Sequence, residues 1–413
     1  MIKIVIRDRR RISPFNEPAR DLRILNKPLW LLQRDLLAPY CDSELEIASP
    51  LELPAGASEM LVYRDNLYFD APFIAEFVRQ ARLTHQPCQV AFSLEDKAIT
   101  THALPLQEGI RREGGFYVAD LWYYPRGAEP ARPLVIDTLP REMGYYHIPT
   151  YMAADKGDLV FQVPLRAFLS IENWVHIWMA NSPFGIFAMG GRVESTLGRL
   201  GVMAKILFRA MIERKQILSS SHMVHVGKNT HIDPSAVIQG PAIIGDNVDI
   251  GAGCVIGNCI IGNNVNIMHG SQLLLSVVGD GCFLPFRGSL FMTTLMENSM
   301  VAQNATLQYC LIGRDTFVGA NTVFTDFNLL SYPLKTMHED RLEWAGLPIL
   351  GCCVGHNCRI GGGLMFYPGR MVESDCVLVR SEQRAVIAKN VTYEESDHHH
   401  LPGGEVHPRL YPR

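Results

Sequence analysis

Nowhere in its 413 residues does the chain carry an apolar run approaching the length of a membrane span. The N-terminus, MIKIVIRDRRRISP, holds no apolar segment long enough for a signal peptide. Strong charge of one sign is also missing: 38 Lys and Arg against 42 Asp and Glu leave a net charge of −4. That is too small to propose nucleic acid or an anionic membrane surface as partner. The ten cysteines lack the paired spacing of a zinc site, even at Cys352, Cys353 and Cys358. These absences predict a reduced, cytoplasmic protein, and 47% hydrophobic residues suffice for two cores.

What is present is a six-residue rhythm. From Val226 an aliphatic residue opens each hexad, often with glycine second and a small residue fifth. The hexads run VGKNTH, IDPSAV, IQGPAI, IGDNVD, IGAGCV, IGNCI, IGNNVN and IMHGSQ. IGRDTF and VGANTV follow, and after an interruption come VGHNCR, IGGGLM, FYPGRM and VESDCV. Three hexads make one triangular turn whose sides are short parallel strands and whose opening Ile or Val points into a prism core. The pattern predicts a left-handed parallel β-helix over 221–393, an exception to the usual right-handed crossover. Cys254, Cys282, Cys358 and Cys376 all fall fifth, an inward place that admits only small side chains, and so are expected to pack rather than react.

Before the repeat, strand-like runs alternate with helical patterns. KIVIRD, ELEIASP, EMLVYRD and CQVAFSL are strand candidates, whereas LWLLQRDLLAPY and APFIAEFVRQARLT carry helical spacing. The order predicts an α/β domain over 1–163 built on a parallel sheet. LRAFLSIENWVHIWMA, a break at NSPFG, and RVESTLGRLGVMAKILFRAMIERKQ predict a helical linker over 164–220. Residues 394–413 are expected to be a flexible tail, its His398, His399 and His400 standing beside Pro-Gly-Gly.

An α/β domain, a helical linker and a left-handed β-helix in this order resemble the bifunctional uridylyltransferase/glucosamine-1-phosphate acetyltransferase family. IGRDTFVGANTVFTDFNLL is similar to the family's sugar-contacting coil, and WAGLPILGCCVGHNCRIGGGLMFYPGRMV to the coils that bind acyl-CoA between subunits. The resemblance implies a homotrimer that transfers an acyl group from acetyl-CoA or another acyl-CoA to an amino-sugar phosphate, or a nucleotidyl group to a sugar 1-phosphate. In the family a loop reaches the neighbouring subunit, which makes Asn328, Lys335 and Arg341 anchors for a sugar phosphate or nucleotide sugar.

The family's base is a histidine, but the matching position here holds Gln303, with Thr306 where a tyrosine is common. Glutamine takes no proton near neutral pH, so His269 and His356, both third in their hexads, are the alternative candidates. The glycine-rich phosphate loop expected after the first strand is absent, and RDRRRISPFNEPARDLRILNKPLWLL resembles a glycine-poor branch of the family. In that segment Arg20 and Lys27 are candidate phosphate contacts. Asp65, after the strand MLVY, stands where the family binds Mg2+. A catalytically impaired trimer that binds a sugar nucleotide or serves as a scaffold is the competing reading. A zinc enzyme of the γ-carbonic anhydrase type is a third, for which His269 lacks a histidine at a suitable coil spacing.

Overall fold

The computed structural model describes residues 1–54, 56, 58–148, 157–197, 200–328, 333–403 and 406–413. These fall into two compact units, one comprising Met1–Ile12, Glu17–Ile148 and Gly157–Ala180, the other chiefly Ser13–Asn16 and Asn181–Arg413.

The first unit is an α/β sheet whose strands follow the order Arg132–Val135, Cys88–Ser93, Phe116–Tyr124, Met60–Arg64, Ile2–Ile6 and Ser43–Ile47. Ile2–Ile6 is buried along nearly its whole length, with Ile4, Val5 and Ile6 apolar in succession and Lys3 paired with Glu44. Helix α1 (Leu29–Leu37) and helix α2 (Ala71–Thr84) lie where helical spacing predicts them. The Asp70 carboxylate caps α2 by accepting the Phe73 N–H at 2.9 Å, and His85 ends it in the left-handed region at φ 53°.

The sheet is mixed, not parallel as expected, because Phe116–Tyr124 runs antiparallel to both neighbours. Arg111–Glu113 pairs back onto that strand through a two-residue Gly114-Gly115 turn, with Gly114 at φ 59°. The predicted linker is also corrected. Phe168–Ser170 is a strand paired with Leu67–Phe69, and NSPFG continues as a wide helical turn, Ser182–Phe187. Helices α3 (Trp174–Asn181), α4 (Ala188–Leu197) and α5 (Leu200–Glu213) make up the helical part.

The second unit contains the left-handed β-helix, in which eight coils stack into three eight-stranded parallel faces. Face A runs from Val224–Val226 to Met371–Val372, face B from His231–Ile232 to Val377–Leu378, and face C from Val237–Gln239 to Val386–Ile387. The hexad-opening residues fill the prism: Ile250, Ile256, Ile267, Leu284, Val301, Val318 and Ile360 are fully buried. Cys254, Cys282, Cys358 and Cys376 share that interior, as their fifth places require, and no cysteine is in a disulfide.

At the turn from face A to face B the chain adopts the left-handed conformation in every coil, on Asn229, Asn247, Asn264, Gly281, Asn298, Asp315, Asn357 and Asp375. Asn, Asp and Gly tolerate this region with little penalty, so the fourth-place Asn of the hexads marks the corner. The stretch without glycine-rich hexads still coils in register, as Leu273, Leu290 and Leu307 align. The real interruption follows Phe324. The register resumes across it, with Phe324 pairing Phe366 and their rings stacked at 4.3 Å.

The described residues of 394–413 are not a loose tail. The Tyr411 N–H donates to Asp375 at 2.7 Å, Asn357 donates to the Pro408 carbonyl at 3.1 Å, and Arg413 pairs with Glu373. His398 is buried, its ring 4.0 Å from that of His399. The buried carboxylates of Glu373 and Asp375 at the end of the prism give the terminal residues strong partners, which composition alone does not reveal.

Candidate functional site

The residues singled out from the β-helix sequence fall on three different corners. His269 and Gln303 lie on the B-to-C corner, two coils apart, with Phe286 between them and 5.9 Å from the His269 ring. Stacked coils are about 4.8 Å apart, so the two side chains are separated by about 10 Å. Both are exposed. His356 lies on the A-to-B corner, and Asn328, Lys335 and Arg341 belong to the excursion on the C-to-A corner.

The third hexad place has a structural duty that the sequence did not announce. On the A-to-B corner its side chain accepts the backbone N–H of the equivalent residue one coil earlier: Asp246 from Lys228, Asn263 from Asp246, Asp280 from Asn263 and Ser374 from His356. His356 is one rung of this ladder, its Nδ1 taking the Arg314 N–H at 2.9 Å. It is completely buried, with the Phe15 ring at 4.7 Å and the Tyr411 ring at 4.8 Å. The expectation that it is an alternative base is therefore corrected: residues remote in sequence cover it.

His269 makes the same bond on its own corner, Nδ1 accepting the Ala252 N–H at 3.2 Å. In the neutral ring this leaves the proton on Nε2. The outward nitrogen then presents a donor, suited to holding an oxyanion or a phosphate oxygen rather than to removing a proton.

The polar excursion folds into a hairpin, Lys335–His338 against Arg341–Trp344. Lys335 faces Trp344 at its open end and Arg341 faces His338 at its turn, so the two cations sit about 10 Å apart along the ribbon. Arg341 pairs with Glu343 at 3.3 Å. At the root of this excursion stands a residue that sequence reasoning missed, Asp326. Burial pushes its carboxyl up to about 6, and the Gln308 amide, oriented with nitrogen toward it, donates at 2.8 Å. It lies two residues from Asn328 in an otherwise unremarkable TDFN segment, and only its desolvation distinguishes it.

In the first unit Arg20 and Asp65 do come together, at the carboxyl ends of the parallel strands Ile2–Ile6 and Met60–Arg64, where open α/β sheets bind ligands. Asp65 is buried and both its oxygens are engaged. One accepts the Asp8 N–H at 2.7 Å, and the other meets Arg20 at 3.2 Å and Arg7 at 3.6 Å. Burial, the largest influence, raises its carboxyl to about 6. Glu46 shares both arginines, so the cluster is close to charge-neutral. A carboxylate in this state does not fit a divalent cation, which needs free anionic oxygens. Lys27 stands apart, paired with Asp35 at 2.8 Å. Among the described residues no group of three or more His, Cys, Asp or Glu is placed to hold a metal ion.

Stacked hexads, a fully buried aliphatic column and polar corners define the C-terminal unit as a β-helix of the hexapeptide-repeat kind. Residues 223–258, the first two coils, match the family model described as bacterial transferase hexapeptide (six repeats). No curated protein matches. Among solved structures, the chain is similar to UDP-N-acetylglucosamine acyltransferase from Campylobacter jejuni at 14% identity, over 41% of this chain, with a TM-score of 0.30. The chain spans 65% of that enzyme's length.

Proposed function

We propose that the protein is a hexapeptide-repeat acyltransferase, moving an acyl group from acyl-CoA to the amine of an amino-sugar phosphate. The observation that carries the mechanism is that face C is flanked by two complementary groups. An exposed imidazole that presents a donor, His269, lies on one edge, and a carboxyl with an affinity for protons near pH 6, Asp326, on the other. Asp326 accepts the proton of the attacking amine while His269 holds the developing oxyanion. Gln303, which cannot act as a base, borders the acyl-CoA path. Asn328, Lys335 and Arg341 are the sugar-phosphate anchors of the same excursion. On one chain the two edges are separate, so the reading requires a trimer in which face C of one subunit meets the neighbour's corner.

Mixed trimers test this directly. Homotrimers of His269→Ala and of Asp326→Asn should each lose most of the thiol release from acetyl-CoA, and trimers assembled from both should regain part of it. A monomer in sedimentation, or mixed trimers no more active than either parent, would remove the shared site.

A second reading, a scaffold or sensor that binds a sugar nucleotide without turning it over, is favoured by the engagement of His269 Nδ1 and of both Asp65 oxygens. Thermal shift against acetyl-CoA, UTP and hexose phosphates separates the two. A ligand at 100 times its dissociation constant adds about 2.7 kcal/mol. Stabilisation by a nucleotide with no turnover of any acyl-CoA would favour the scaffold.

A further inference from the structure

Helix α5 and the residues after it differ in charge from the rest of the molecule. Between residues 200 and 232 stand Lys205, Arg209, Arg214, Lys215 and Lys228 against Glu213 alone, five minus one, or +4 in a chain of −4. Glu213 is not a free counter-charge, since it receives Ser221 and faces Arg209 at 3.7 Å. The helix is apolar nearly all round. Ile206 and Ala210 form a buried stripe, whereas Leu207, Phe208, Met211 and Ile212 form a second stripe that is 46%, 60%, 69% and 61% exposed. Positions i, i+1, i+4 and i+5 share one side, so these four side chains make a continuous patch rather than scattered exposures. Ile217 and Leu218 extend it just past the helix end.

Just past the helix end, Lys215 and Gln216 line a cavity of about 650 Å³ at the first coil of the prism, together with His225, Ile232, Asp233 and Val237. At 14 residues α5 is about 21 Å long, and no helix among the described residues is long and apolar enough to cross a membrane. An apolar stripe bordered by cations and lying on a short helix suits the plane of an anionic bilayer, with acyl chains against the stripe and headgroups against the guanidinium and ammonium groups.

We propose that α5 is a docking element for an anionic lipid surface. This departs from the expectation, drawn from the overall charge, that no membrane is a partner: the −4 conceals a basic segment. The proposal is independent of the acyltransferase reading and concerns where the protein works, not what it transforms.

Co-sedimentation of the full chain with vesicles tests it. The protein should bind vesicles of phosphatidylcholine mixed with phosphatidylglycerol, bind phosphatidylcholine alone far less, and be released by added salt. Phe208→Asp with Met211→Asp should abolish binding, while Arg214→Glu with Lys215→Glu should weaken it by about tenfold or more. Phe208→Trp supplies a readout that does not depend on loss of function, since its emission should shift to the blue on anionic vesicles only. Absence of binding by the unaltered protein overturns the proposal, as does equal binding by the Phe208→Asp, Met211→Asp variant. If that variant instead lowers the oligomeric state in light scattering, with no vesicle binding by the unaltered chain, the stripe is a contact between copies.

Discussion

His269 and His356 occupy the same place in their hexads, yet their surroundings assign them opposite consequences on mutation. His356→Ala leaves the Arg314 N–H without its acceptor and opens space between Phe15 and Tyr411. A loss of about 2–4 kcal/mol is expected in urea unfolding. His269→Ala removes an equivalent bond at an exposed site where water replaces it, and should cost under about 1 kcal/mol. Asp65 makes a prediction about pH. Its folded-state affinity for protons is raised from 3.8 to about 6, so the folded protein binds the proton more tightly than the unfolded chain. The stability from this group is fully present below about pH 4 and is lost as pH rises through 6. Asp65→Asn should flatten the dependence of the urea midpoint on pH across that window, and an unchanged slope would assign the dependence to other groups.

Among the elements, the coil is the unit whose chemistry is most uniform. Burial pushes the thiols of Cys259, Cys282, Cys352 and Cys358 up to about 12, and that of half-exposed Cys41 to about 11. Thiolate is scarce in such groups, so titration of the native protein with a thiol reagent at pH 8 should detect at most Cys41, slowly, and all ten only in denaturant. The hairpin Lys335–His338/Arg341–Trp344 is an appendage by the same logic. Coil register continues from Phe324 to Phe366, so replacing residues 333–348 with a short Gly-Ser link should leave the unfolding transition of the prism intact while weakening sugar-phosphate binding. The elements show how much could be read in advance. α2 is legible because one apolar stripe follows an Asp-Ala-Pro start, whereas Phe168–Ser170 is not, since Phe-Leu-Ser is too short to separate a strand from a helix. The third hexad place of His269 is legible in the repeat, and that residue is exposed on its corner, but Asp326 becomes visible only through its burial.

For the whole molecule, the end of the prism is held by residues far away in sequence. Pro14 accepts from Ser374, Asn16 donates to Glu373 and to Tyr411, and Arg413 closes on Glu373 and Glu394. Removing residues 406–413 should lower the stability of the second unit by about 2–4 kcal/mol, measured as a shift of its melting transition, because Glu373 and Asp375 lose their buried partners. By itself the sequence determined the prism, its register and its inward cysteines, because a six-residue period repeats one local geometry and needs no distant information. Only the tertiary structure decided which polar residue is a rung, a lid or a free group. Those roles depend on which segments cover each corner, and the covering residues over His356, Phe15 and Tyr411, lie about 340 and 55 residues away along the chain.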